Sequence, residues 1–113
     1  MAISESKIED VVVLTIKGKL MGGKESDEIY EKVKNLLNVG QRRLVIDLSK
    51  VKWMNSQGLG VLMACLTSAR NSESEIKLSG ATDKVKSILM VTKLITIFEN
   101  FESVDQAVKS YSS

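Results

Sequence analysis

The chain has no histidine and no proline, and it has a single cysteine, Cys65. Without histidine, a Ser-His or Cys-His nucleophilic pair cannot be assembled. With one cysteine and no histidine, a metal site would have only carboxylates to draw on, so zinc chemistry of the ordinary kind is excluded. One cysteine also rules out an internal disulfide, and it fits a reducing compartment. Cys65 lies near the inner stripe of a helix and has no acid–base partner in sequence, so it reads as a small buried hydrophobe. The lack of proline leaves the turns to glycine, asparagine and serine. Aromatic residues are scarce at 4%, with one tryptophan. No apolar run approaches the roughly 18 residues that a membrane-spanning helix needs. The first residues lack the basic start and apolar stretch of a signal peptide, so a cytoplasmic protein without membrane insertion is expected. No enzyme activity and no cofactor are expected.

What is present is a soluble balance, with 43% hydrophobic and 27% charged residues over 113 positions, enough for one core. The net charge is +2. Acids and bases are interspersed along the chain, so direct binding of nucleic acid has no basic stripe to support it.

Hydrophobic patterning sets out the elements. Residues 3–8 read as a short strand, Glu9-Asp10 as a tight turn, and Val11 to Ile16 as a β-branched strand ending at Lys17-Gly18. Lys19 to Gly23 reads as a loop. Ser26 to Asn38 has apolar residues at helical spacing (Ile29, Tyr30, Val33, Leu36, Leu37), and Gly40 suits a left-handed cap. Leu44 to Leu48 is apolar without alternation up to Asp47, which predicts a central strand buried on both faces. A helix follows from Leu59 to Ala69, then a half-buried strand from Ile76 to Ser79. A third helix is capped by Thr82, with Val85, Ile88 and Leu89 facing inward. Leu94 to Phe98 reads as a short strand or extended segment, and Ser103 caps a last helix carrying Val104, Ala107, Val108 and Tyr111. Strands alternating with helices predict an α/β domain over residues 1–113. Its sheet is mixed and mostly parallel, with four to five strands and about four helices.

The junction between the central strand and the second helix concentrates polar and glycine residues, Asn55-Ser56-Gln57-Gly58-Leu59-Gly60. Either Ser56 or Asn55 could supply the helix cap. Two glycines in a first helical turn imply close packing or close approach by another molecule. They make no dinucleotide fingerprint, and no phosphate-loop element follows. Trp53 either fills the edge of the core or stands exposed as an interface anchor. Asp47 reads as satisfying nearby backbone donors, with cation binding the other option.

The run Asp47-Leu48-Ser49, Val51, Met54-Asn55-Ser56-Gln57-Gly58-Leu59-Gly60-Val61-Leu62 resembles the signature of the STAS domain family, in its anti-sigma factor antagonist branch. The likeness extends over the chain, from the two N-terminal strands through the segment Val85 to Phe98. It implies a binding module whose partner is an anti-sigma factor that is also a serine kinase, with release of the sigma factor as the outcome. The kinase phosphorylates the serine of the motif, which falls on Ser56, and a serine phosphatase reverses this. The implied partner surface comprises Met21, Gly22, Gly23, Trp53, Asn55, Ser56, Gln57, Gly58 and Gly60. Two places depart from the family form, the first being the loop Leu20-Met21-Gly22-Gly23, which differs from the more polar loop common in this branch. At the second, Asn55 stands where the family has aspartate, which removes a charge beside the acceptor and leaves its hydroxyl in place. A STAS scaffold subunit without phosphorylation, within an assembly such as a membrane transporter ATPase, is the alternative. Direct nucleotide binding and a small enzyme rank below both.

Overall fold

A computed structural model of the chain describes residues 2–93 and 98–112. Among these residues five strands and four helices follow in the order β1 (Ala2–Ile8), β2 (Val11–Leu20), α1 (Gly23–Asn38), β3 (Arg43–Met54), α2 (Ser56–Asn71), β4 (Glu75–Ser79), α3 (Asp83–Val91), β5 (Asn100–Phe101) and α4 (Val104–Ser110). The sheet order is β1-β2-β3-β4-β5. β1 pairs antiparallel with β2 across the tight turn. Every later pair is parallel. Each parallel connection carries one helix, and successive steps in one direction put α1, α2 and α3 on the same face.

The two faces form two cores. Val12, Leu14 and Ile16 of β2, with Leu44, Ile46 and Leu48 of β3, pack under Ile29, Val33, Leu59, Leu62, Val85 and Leu89 of the three helices. Val11, Val13 and Val45 point to the opposite face, where Ala107 and Val108 of α4 cover them. This double burial explains the unbroken apolar run of β3. On the α4 side the buried Lys77 ammonium donates to Ser110 Oγ at 2.7 Å and lies 4.1 Å from the Tyr111 ring centroid. Tyr111 in turn donates to the Leu44 carbonyl at 2.7 Å.

The caps follow the sequence at three helices. Gly40 takes φ 90° after α1, and the Thr82 and Ser103 hydroxyls accept from the amides of Val85 and Gln106. Three boundaries differ from expectation. β3 does not end at Leu48 but runs to Met54, because Lys50 to Met54 pair with Lys17 to Leu20. β2 correspondingly runs through Lys19 and Leu20, which had read as loop. α1 starts at Gly23 rather than Ser26, since Gly22 donates its amide to Ser26 Oγ at 2.9 Å and so fixes the turn before the first acids. The expected strand at Leu94–Phe98 lies mostly outside the described residues, and the observed fifth strand is Asn100–Phe101.

Candidate functional site

The long β2 and β3 carry their C-terminal ends beyond β4, and two loops meet there. Met21 and Gly22 link β2 to α1, while Asn55 links β3 to α2. The Asn55 amide donates to the Leu20 carbonyl at 3.2 Å. Its side-chain Nδ2 donates to the Met21 carbonyl at 3.0 Å, and its Oδ1 accepts from the Gly58 amide at 2.9 Å. Asn55 is therefore the cap of α2 and also the clamp between the loops. Its extended backbone (φ −111°, ψ −177°) is the ordinary geometry for that position.

With Asn55 as cap, Ser56 is the first residue of α2. It is exposed, and its hydroxyl makes no hydrogen bond among the described residues. The two glycines that follow separate cleanly. A methyl group on Gly58 would lie 1.9 Å from the Leu20 carbonyl oxygen, so packing of α2 against β2 dictates this glycine. A methyl on Gly60 would meet nothing within 4 Å. Nothing among the described residues asks for glycine there, which leaves a low surface one helical turn from Ser56.

The structure brings Met21, Gly22, Asn55, Ser56, Gln57 and Gly58 together. Gly22 has φ 87°, and an added Cβ would fall 2.6 Å from Gln57 Cβ, so side chain and glycine are packed face to face. Met21 and Trp53 are 40% and 42% exposed, which settles Trp53 as a surface residue rather than core edge. Trp53 sits opposite Lys19 on the extended ribbon. Gly23 opens α1 with free space around it. Asp47 accepts from the Ser49 amide at 3.0 Å and from the Thr15 hydroxyl at 3.3 Å, the role of a donor-satisfying group. Cys65 is fully buried, and burial pushes its thiol up to about 12.

Sequence reading missed the groove beside this junction. Asp27 and Tyr30 of α1 and Gln57, Gly60, Val61 and Ala64 of α2 line a depression of about 310 Å³. Tyr30 meets Ser68 hydroxyl to hydroxyl at 3.2 Å on the same seam. The signal was there, because these residues recur at three- and four-residue spacing on facing helices, but without the helix pair they read only as flanks of two apolar stripes. Among the described residues no group of three or more acidic, histidine or cysteine side chains could hold a metal. Nor is any described helix long and apolar enough to cross a membrane.

The chain is similar to proteins already known. The family model for the STAS domain matches residues 2–107. The anti-sigma-B factor antagonist of Listeria monocytogenes is 34% identical over 76 residues, covering 67% of this chain and 61% of that protein. The matched region thus spans about three fifths of the length of the Listeria relatives. A crystal structure of a Thermotoga maritima protein superposes with a TM-score of 0.90 at 24% identity, covering 98% of this chain and 95% of that one. The anti-sigma factor antagonist SpoIIAA in its unphosphorylated form gives 0.83 at 14%, covering 98% and 96%. The phosphorylated form of the Bacillus SpoIIAA gives 0.77 at 13%, covering 97% and 99%. At these identities the structural likenesses establish the fold.

Proposed function

This chain belongs to the STAS domain family, and from that premise we propose that it is an anti-sigma factor antagonist switched by phosphorylation of Ser56. In this reading the unphosphorylated protein binds a serine-kinase anti-sigma factor in the cytoplasm and so frees a sigma factor. The kinase, using ATP, modifies Ser56 and dissolves the complex, and a serine phosphatase restores the binding form.

One observation carries the reading. Ser56 is exposed at the first turn of α2, and Asn55 rather than Ser56 caps the helix. Its hydroxyl is therefore free of a structural duty that modification would disturb. Phosphorylation adds about −1.5 to −2 charges. Inside the domain that charge sits at the positive end of a 16-residue helix, where it is tolerated. In a close-packed interface the same charge must be desolvated and meets any acid the partner presents, so the complex weakens while the fold persists. The exposed Met21 and Trp53 supply the apolar contacts, and the open face of Gly60 admits the partner's surface. The existence of SpoIIAA in both phosphorylated and unphosphorylated forms supports such a cycle.

The test is incubation with a serine-kinase anti-sigma factor from the same genome and ATP, read by mass spectrometry of the intact chain and its peptides. One phosphate on Ser56 and none on the Ser56→Ala variant are expected. A phosphate located elsewhere, or unchanged labelling of the variant, overturns the mechanism.

A further inference from the structure

The interspersed charges of the sequence do not stay interspersed in space. A cavity of about 660 Å³ is lined by Lys17 of β2, Ser49 to Lys52 of β3, and Thr82, Asp83 and Lys84 at the start of α3. Four lysines and one aspartate line it around a mostly apolar wall, an excess of three positive charges in a chain whose net charge is +2. All four lysines are exposed, and none forms an ion pair among the described residues. By contrast, Lys32, Arg43, Lys77 and Lys86 all have carboxylate partners.

The arrangement works against the fold. Lys17 and Lys50 are register partners across β2 and β3, and both line the cavity. Two ammonium groups on neighbouring strands repel each other, weakly where both are exposed to solvent. The remaining groups suit an anion. The Ser49 hydroxyl makes no hydrogen bond among the described residues, since only its backbone amide is engaged by Asp47. The first α3 amides with partners are those of Val85, held by the Thr82 hydroxyl, and Lys86, held by the Thr82 carbonyl. Those of Asp83 and Lys84 precede them at the positive end of the helix.

We propose that this cavity binds a small phosphate-bearing anion. Lysine ammonium groups act as mobile point charges suited to phosphate oxygens. The volume lies in the range of small-molecule sites, and three separate segments converge on it. A concave site of this size takes a compact soluble ligand in preference to an extended acidic segment. Ser56 is not among the residues that line the site, and binding there does not depend on its modification.

The experiment is titration of the isotope-labelled full chain with sodium pyrophosphate at constant ionic strength, followed by amide chemical shifts. Saturable shifts confined to Ser49–Lys52 and Asp83–Val85 are expected, with the same affinity in Ser56→Ala. Lys17→Gln and Lys50→Gln should each weaken binding at least threefold, and the Lys50→Gln, Lys84→Gln double variant at least tenfold. Lys50→Gln should also melt no lower than the wild type, because it relieves the Lys17 repulsion. Non-saturating shifts spread over Lys7, Lys24 and Lys109 would overturn the proposal, as would unchanged affinity in the variants. A response to a polyglutamate peptide with none to pyrophosphate would also overturn it and make the patch a protein-docking face.

Discussion

Gly58 and Gly60 are two positions apart in the same helical turn, yet the fold treats them differently, and substitution should separate them. Gly58→Ala forces a methyl onto the Leu20 carbonyl, where backbone must move, so a loss of about 3 kcal/mol is expected in denaturant unfolding. Gly60→Ala meets open space and replaces a poor helix former, so stability should hold or rise by up to about 1 kcal/mol. Affinity for the anti-sigma partner should nevertheless fall, because the added methyl stands on the surface the partner approaches. A Gly60→Ala protein that binds as tightly as the wild type would remove Gly60 from the interface. Asn55 invites a third substitution. Asn55→Asp restores the acid of the family form and keeps an acceptor for the Gly58 amide, next to the helix dipole. It also sets a carboxylate oxygen against the Met21 carbonyl in place of the Nδ2 donor. Gain and loss are each about 1 kcal/mol, so the global stability should change little. The loop is where the change should show, as faster hydrogen exchange at Gly22 and Gly23. The asparagine thus serves as a clamp in addition to departing from the family form.

At the scale of elements, the helix α2 decides what a charge on Ser56 does. Ser56→Asp places a carboxylate at its N-terminus, so the variant should stay within about 1 kcal/mol of wild-type stability while binding the partner at least tenfold more weakly. Equal affinity for both forms, measured by calorimetry, would defeat the electrostatic account. The helices were legible because each has an apolar face at regular spacing and a cap drawn from a small set of residues, as at Thr82 and Ser103. The ends of β2 and β3 were not legible, for a physical reason. Two register irregularities, between Thr15 and Lys17 and between Gly18 and Lys19, make the strand buried at Leu44, Ile46, Leu48, Val51 and Met54. The spacing passes from two to three, so a reader of period-two alternation stops at Leu48. The same irregularities set Lys50, Lys52 and Trp53 outward on a ribbon that β4 does not cover, which is why the lysine cavity had no signature in sequence. Ser56 was legible as a candidate through family resemblance, whereas its freedom from capping rests on where the Asn55 side chain lies. The groove between α1 and α2 needed the pairing of two helices that sequence patterning describes one at a time.

For the molecule as a whole, the two cores on opposite faces of one sheet make stability sensitive to high pH. Cys65 is sealed in the larger core, where burial raises its thiol from 9.0 to about 12. Tyr111 lies across the other face, and burial first, then the Glu75 carboxylate, push its hydroxyl above the ordinary tyrosine value. Both groups hold their proton more tightly in the folded chain. Above pH 9 the unfolded state sheds the Cys65 proton that the native state keeps, so it binds fewer protons and unfolding grows easier as pH rises. The stability linked to Cys65 is fully present below pH 9 and drains away up to about pH 12, at about 1.4 kcal/mol per pH unit in that window. By pH 10.5 the linked loss is about 2 kcal/mol. Cys65→Ala removes the titrating group at the expense of a small cavity. The variant should therefore be the less stable protein at pH 8, yet lose about 2 kcal/mol less than the wild type between pH 8 and pH 10.5. Urea unfolding of both proteins at the two pH values measures the difference. Parallel losses in wild type and variant would show that the thiol does not drive the alkaline transition and would leave it to Tyr111 on the α4 face.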